Sequence, residues 1–101
     1  MNNNDEYNRN LLREYYRGNK KYLGYIIEYN SPLIFPLMKK FQIEFNLSNE
    51  YIYKCIVEEF INAVNEYDLE KSSPFEVYIK RYIETKLEEK FRTTGYQYKK
   101  N

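Results

Sequence analysis

The chain has 101 residues, 43% hydrophobic and 31% charged, a composition that predicts one compact domain with a single small core. Sixteen Lys and Arg against fifteen Asp and Glu give a net charge of +1, which excludes general basicity as a reason to bind nucleic acid or membranes. The absence of histidine removes Ser-His and Cys-His catalysis and the commonest metal ligand, so we expect neither an enzyme nor a cofactor. The lone Cys55 cannot form an intrachain disulfide and is expected to be buried.

Apolar residues recur at helical spacing, and three glycines and three prolines are too few for a turn-rich β fold. The sequence therefore predicts an all-α bundle of about five helices. Gly18 is expected to end the first helix in a left-handed conformation, Asn19 to cap the second helix, and Ser48 to cap the fourth. The predicted helices cover residues 6–17, 20–30, 32–46, 49–67 and 74–93.

Prolines mark the third and fifth predicted helices. Residues 31–32 (Ser-Pro) supply a cap and a first-turn proline, but Pro36 has no amide to donate, so we expect a kink or a helix start near it. Residues 73–76 combine a capping Ser, a Pro at the first helical position and a Glu three residues after the cap, which is the strongest helix start in the sequence. Gly95 is expected to end this fifth helix.

The apolar faces of these helices predict a single core within a single domain that covers residues 1–101. We expect its structured part to cover about 10–92, between a mobile N-terminal start and a basic C-terminal tail. Neither a secretory signal nor a run of 18 apolar residues is present, which favours a cytoplasmic protein without a membrane partner. The predicted core residues are Leu12, Ile26, Leu37, Ile56, Phe60, Ala63, Ile79 and Tyr82.

Charge is segregated along the chain. Residues 42–70 hold one Lys and seven acidic residues, a net charge of −6, whereas residues 80–101 hold seven Lys and Arg and three Glu, a net charge of +4. An acidic fourth helix beside a basic fifth helix indicates either complementarity within the molecule or surfaces that face different partners.

The fourth helix is apolar over more of its circumference than a simple amphipathic helix requires. On a helical wheel Val57 and Ile61 lie at the edge of the core face and beyond it. Such extra apolar surface meets either another helix of the same domain or a protein partner. The candidate protein-docking residues are Tyr51, Lys54, Val57, Glu58 and Ile61.

The fifth helix carries aromatic, cationic and hydroxyl groups on one flank. Tyr78, Arg81, Thr85 and Arg92 follow spacings of three, four and seven residues, which places them on the same side of the helix. Aromatic rings can stack on bases and Arg can contact phosphates, so this flank is suited to single-stranded nucleic acid. The alternative is an ordinary solvated flank, because Glu88 borders it and repels phosphate.

In order and spacing, these segments resemble region 2 of bacterial RNA polymerase sigma factors over residues 10–92. Residues 11–19 resemble the opening helix of that family with its Gly-Asn turn, and residues 29–34 (YNSPLI) resemble the junction that follows. Residues 51–68 align without a gap on the polymerase-binding helix. Residues 72–75 and Tyr78 resemble the entry to the promoter-melting helix, in which Tyr82 stands where many members have Trp.

This resemblance implies a sigma-type transcription initiation domain that docks on core RNA polymerase and captures the melted minus-ten promoter strand. The docking residues named above would face the polymerase. The chain ends before a helix-turn-helix for the minus-35 element, so we expect either that it is a fragment or that a separate subunit supplies this recognition. A homodimer is the other expected partner, and it belongs to the self-associating alternative. The alternatives are a region 2-shaped interaction module without promoter binding, or a self-associating bundle. The implied DNA-binding residues are Tyr78, Arg81, Tyr82, Thr85 and Arg92.

Overall fold

The computed structural model describes residues 3–70 and 73–93, and 82% of these residues lie in five helices. No strand occurs among them, so the predicted all-α fold is confirmed. Gly95 and the expected C-terminal tail lie outside the described residues. The helices are α1 (Asn3–Tyr16), α2 (Tyr22–Tyr29), α3 (Ser31–Glu44), α4 (Asn49–Glu66) and α5 (Phe75–Thr93).

The turn between α1 and α2 follows one prediction and contradicts another. Gly18 has a φ of 108°, and its amide and that of Asn19 donate to the carbonyls of Tyr15 and Glu14, the pattern of a Schellman motif. The prediction that Asn19 caps α2 is wrong, because α2 begins only at Tyr22. The Asn19 side chain instead donates to the carboxylate of Glu14 at 2.7 Å, a contact at the C-terminal end of α1.

The third helix runs continuously through Pro36, so the predicted start near that residue is wrong. Pro36 has no amide to donate to the carbonyl of Pro32, and both prolines are exposed. Asn30, not Ser31, holds the position before α3. Ser48 caps α4 as predicted, and its hydroxyl oxygen accepts a hydrogen bond from the amide of Tyr51 at 3.2 Å.

The start of α5 depends on a residue from the other end of the chain. The helix begins at Phe75, and the amide of Phe75 donates to a carboxylate oxygen of Asp5 at 2.8 Å. The predicted capping box at residues 73–76 therefore places the helix start correctly within one residue, but the carboxylate that holds the first amide belongs to α1. The first helix also begins at Asn3, three residues before the predicted position.

One core joins the five helices. Seven of the eight predicted core residues are buried, and Cys55 is buried with them at 1% exposure. Tyr82 is the exception, because it is half-buried and its hydroxyl group reaches Glu66 at the edge of α4. Five phenylalanines are the largest fully buried side chains, namely Phe41, Phe45, Phe60, Phe75 and Phe91.

Helices α4 and α5 form an antiparallel pair that carries both predicted surfaces. Tyr51 near the start of α4 packs on Phe91 near the end of α5, with 6.2 Å between ring centroids. At the other end of the pair, Tyr67 after α4 packs edge-on against Phe75 at 5.1 Å. Within residues 3–70 and 73–93, no helix has the length and apolar character that crossing a membrane requires.

Candidate nucleic-acid interface

Four of the five predicted DNA-binding residues line one groove along α5, with a volume of about 290 Å³. Helical spacing brings Tyr78, Arg81 and Thr85 to the same side. Tyr82, which the sequence places among the core residues and the family resemblance among the DNA-binding residues, lines this groove as well. Sequence reasoning missed Lys86, although its position four residues after Tyr82 already places it on this side. We call this site the α5 groove, and its lining residues are Ser73, Val77, Tyr78, Arg81, Tyr82, Thr85 and Lys86.

The tyrosine rings of the α5 groove are fixed on the core by a series of ring contacts. The ring centroid of Tyr78 lies 4.9 Å from that of buried Tyr67 and 5.8 Å from that of Tyr82. Tyr67 in turn contacts Phe75, which is fully buried. Because Tyr78 rests on a buried ring and Tyr82 packs against Tyr78, these two half-buried rings present an ordered aromatic surface to the groove.

Charges of both signs border the α5 groove. Arg81 is exposed, and the Lys86 ammonium lies 5.5 Å from the centroid of the Tyr82 ring. In the described part of the chain neither cation forms an ion pair. On the other side, the Tyr82 hydroxyl donates to the carboxylate of Glu66 at 2.8 Å. Burial, followed by the nearby Glu66 carboxylate, raises the pKa of Tyr82 and of Tyr78, so both rings stay neutral at ordinary pH.

Arg92 does not line the α5 groove with the other four residues. Its guanidinium donates to Glu88 at 3.4 Å, and the other Glu88 oxygen accepts from Lys40 of α3 at 2.8 Å. The hydrogen bond from Lys40 holds the pKa of Glu88 below its usual range. Glu88 was expected to repel phosphate, but two cations already compensate its charge. Lys40 comes from a helix that sequence reasoning did not connect with this flank.

The predicted docking residues lie on α4 as a mixed surface, which we call the α4 surface. Lys54 and Glu58 are exposed, whereas Tyr51, Val57 and Ile61 are half-buried. Tyr51 contributes to the contact between α4 and α5, because its ring packs on Phe91 and the Lys90 ammonium lies 6.0 Å from its centroid. Val57 and Ile61 are the aliphatic residues that this surface leaves partly accessible.

A cluster of polar side chains connects α1 with the N-terminal end of α5, where the α5 groove begins. Besides accepting from the amide of Phe75, Asp5 accepts from the guanidinium of Arg9 at 2.9 Å. Arg9 also donates to the carbonyl of Leu69 and to the hydroxyl of Tyr67, and that hydroxyl donates to the carbonyl of Ser73 at 2.7 Å. We call this group the Asp5 clamp. It ties α1 to both ends of the segment between α4 and α5.

The electrostatics of the Asp5 clamp favour ionised side chains. Burial alone would raise the pKa of Asp5, but the amide of Phe75 and the guanidinium of Arg9 outweigh it and hold this pKa below its usual range. The hydrogen bond to Asp5 likewise raises the pKa of Arg9. Sequence reasoning missed the clamp, because an Asp and an Arg four residues apart are typical of any solvated helix face.

The described residues offer no site for a metal ion, since no three His, Cys, Asp or Glu side chains among them come together. Comparisons of the chain with protein-family models, with curated proteins and with solved structures find no match.

Proposed function

We propose that this chain is a sigma-type transcription initiation domain. In this proposal the α5 groove holds the AT-rich single strand of a melted minus-ten element, and the α4 surface docks on core RNA polymerase. The observation that carries the proposal is the convergence of Tyr78, Arg81, Tyr82 and Thr85 on one groove.

The side chains of the α5 groove match the two needs of strand capture. Bases that leave the duplex lose their stacking partners, and an aromatic ring replaces such a partner at a gain of about 1–3 kcal/mol per base. Tyr78 and Tyr82 supply those rings, and Arg81 and Lys86 supply positive charge for the phosphates. Captured bases cannot pair again, so binding stabilises the melted promoter without any covalent step.

One observation supports a second candidate function, a region 2-shaped interaction module that does not bind promoter DNA. The Glu66 carboxylate is hydrogen-bonded to Tyr82 at the border of the α5 groove, where it opposes a phosphate backbone. Such a module would bind polymerase, or a partner of a sigma factor, through the α4 surface alone. The two functions differ in one measurable property, the affinity for single strands.

The experiment is a titration of a labelled minus-ten single strand with the full chain, with and without core polymerase, at several salt concentrations. Arg81→Ala should lower the slope of log affinity against log salt by about 0.7, the value for one lost contact with a single-strand phosphate. Arg13→Ala is the matched control, because Arg13 is an exposed arginine on α1. Equal slopes for the two variants would contradict strand binding in the α5 groove.

Docking is tested by co-purification with core RNA polymerase. Ile61→Asp should abolish co-purification, because it places a charge in the apolar part of the α4 surface. Ile43→Asp is the matched control, since Ile43 is an apolar residue of α3 that is 65% exposed. Circular dichroism checks the fold of both variants. Unfolding of Ile61→Asp alone would assign Ile61 to the core, and co-purification without strand binding would favour the interaction module.

A further inference from the structure

A second groove rich in tyrosine lies between α1 and α2, with a volume of about 440 Å³. Tyr22, Tyr25 and Tyr29 follow spacings of three and four residues, so they share one face of α2. Tyr7 and Leu11 face them from α1, again four residues apart. We call this site the α1–α2 groove, and its lining residues are Tyr7, Leu11, Tyr22, Tyr25, Glu28 and Tyr29.

The four rings of the α1–α2 groove form two pairs, and neither pair is parallel. Tyr7 and Tyr29 have centroids 4.4 Å apart and planes at 51°, whereas Tyr22 and Tyr25 are 5.0 Å apart and nearly perpendicular at 80°. Because the rings are inclined to each other, they present their faces in more than one direction along the lining of the groove. The hydroxyl of Tyr29 donates to Asn4 at 2.7 Å, which fixes that wall to α1.

These rings are more accessible than tyrosines that serve only to fill a core. Tyr7 and Tyr25 are 49% and 46% exposed, and Tyr29 is 36% exposed. Among the described residues, no Lys or Arg side chain lies over any of the four tyrosine rings of this groove. Each ring uses at most one face in the contact with the other ring of its pair, and the exposure of Tyr7, Tyr25 and Tyr29 leaves part of these rings accessible to a ligand.

The charge within the α1–α2 groove determines whether the groove favours a positively or a negatively charged ligand. Glu28 is exposed and forms no ion pair with any described residue. The faces of aromatic rings carry the negative part of the ring quadrupole, so four tyrosines and a carboxylate together repel anions and attract cations. An ion with a tightly held water shell gains little from ring faces, whereas an alkylated ammonium is apolar at its surface and packs against them.

We infer that the α1–α2 groove binds a quaternary ammonium group, which its tyrosines enclose while Glu28 balances the charge. This inference does not depend on the proposed transcription function, because it uses none of the residues of the α5 groove or the α4 surface. A trimethylammonium group occurs both in free choline-like compounds and in trimethylated lysine of a protein. The two sources share the recognised chemistry and differ in what is attached to it.

The test is a titration of the ¹⁵N-labelled full chain with choline, followed by NMR shifts of the amides around Gly24 and Glu28. The matched probe is 3,3-dimethylbutanol, which has the same shape as choline but no charge. We expect choline to bind with a dissociation constant on the order of 1 mM, and its neutral analogue to bind much more weakly. Equal affinity for the two probes would overturn the inference, because the groove would then be merely apolar.

Variants locate the site. Tyr25→Leu should weaken choline binding by about two- to fivefold, the effect of one ring at an exposed site, and Glu28→Gln should weaken it comparably. The controls are Tyr16→Leu, whose tyrosine is 39% exposed on α1 but does not line this groove, and Glu50→Gln, which removes an exposed carboxylate of α4. If Tyr25→Leu disturbs the fold, Glu28→Gln still provides the test. The same loss in variants and controls would overturn the inference.

A peptide with trimethyl-lysine, compared with the unmodified peptide, separates the two sources. Tighter binding of the methylated peptide than of choline would assign the groove to a modified protein. Tighter binding of choline would assign it to a free compound. Both results support a quaternary ammonium site, whereas equal binding of methylated and unmodified peptides, together with no binding of choline, would contradict it.

Discussion

The α5 groove and the α1–α2 groove are both built from tyrosine, but the charges beside the rings differ. In the α5 groove, Arg81 and Lys86 accompany the rings, and the rings rest on the buried core. In the α1–α2 groove, Glu28 is the charged lining residue, and the rings contact each other on the surface. Thirteen tyrosines therefore do not define one function in this chain. The neighbouring charges decide whether a group of rings suits a polyanion or a cation.

The two grooves are also mechanically connected. Helix α1 contributes Tyr7 and Leu11 to the α1–α2 groove, and through the Asp5 clamp it holds the first turn of α5. Tyr67, which supports the ring of Tyr78, belongs to the same clamp. A change in the clamp is therefore expected to affect both sites, whereas a change in a lining residue should affect one site only.

Removal of the Asp5 carboxylate should have the largest effect. Asp5→Ala removes the carboxylate that pairs with Arg9 and leaves the amide of Phe75 without an acceptor, and should lower the free energy of unfolding by about 3 kcal/mol. Asp5→Asn should cost less, because its amide oxygen can still accept from Phe75. Denaturant unfolding measures both values, and Glu6→Ala is the control because Glu6 is exposed on the same turn. Equal stabilities of Asp5→Ala and Glu6→Ala would contradict the clamp.

The clamp also predicts how stability depends on pH. Because folding lowers the pKa of Asp5 below its unfolded value of about 3.8, its contribution is fully present above that value. The contribution is lost as the pH falls through 3.8 and then through the folded pKa. Unfolding curves at pH 6 and pH 3 should therefore differ more for the wild-type chain than for Asp5→Asn. A difference of the same size would show that other carboxylates cause the acid sensitivity.

Truncation of Tyr78 should weaken binding at the α5 groove and leave binding at the α1–α2 groove unchanged. Tyr78→Ala removes a stacking ring from the α5 groove and should weaken strand binding by about 1–3 kcal/mol at every salt concentration. Choline binding should not change, because Tyr78 has no part in the α1–α2 groove. The measurements are the strand and choline titrations on the same protein. Tyr78→Phe, which keeps the ring, should bind the strand like the wild type, and a loss there would assign the effect to the hydroxyl.

The Tyr82 hydroxyl offers a smaller and different test. Tyr82→Phe keeps the ring but removes the hydrogen bond to Glu66, so it should lower the free energy of unfolding by about 0.5–1 kcal/mol. Strand affinity should stay within about twofold of the wild type if the ring is what contacts the bases. Thermal unfolding and the strand titration measure the two quantities. A large loss of affinity with unchanged stability would mean that the hydroxyl contacts the nucleic acid.

The sequence predicted what depends on a single helix and missed what depends on contacts between helices. Tyr78, Arg81 and Thr85 share one side of α5 because the helical period fixes their relation, and that period could be read directly. The same period placed Tyr82 toward the core, whereas the structure leaves it half-buried at the groove. By helical period Arg92 lies on the same flank of α5, two turns after Thr85. In the structure, however, Arg92 and Lys40 of α3 both donate to Glu88, so this part of the flank contacts α3. No local sequence pattern indicates such a contact between two helices.

Contacts between distant parts of the chain were beyond sequence reasoning for the same reason. Asp5 and Phe75 are 70 residues apart, so their hydrogen bond depends on how α1 packs against α5. The α1–α2 groove likewise requires that Tyr7 and Tyr29 meet across the turn at Gly18. The start of α4 at Ser48 was predicted with its capping residue, because that cap is local. The start of α5 was predicted within one residue, but the distant carboxylate that holds its first amide was not.

Removal of the Glu88 charge should have the smallest effect of these substitutions. From the sequence alone, Glu88→Gln should strengthen strand binding, because it removes a negative charge from the flank of α5. In the structure Lys40 and Arg92 compensate that charge, so we expect a change in strand affinity of less than about twofold and a stability loss below about 1 kcal/mol. Glu89→Gln is the comparison, because Glu89 is exposed and its carboxylate forms no ion pair with a described residue. If the strand titration shows equal strengthening for both variants, the Glu88 carboxylate faces the nucleic acid and not α3.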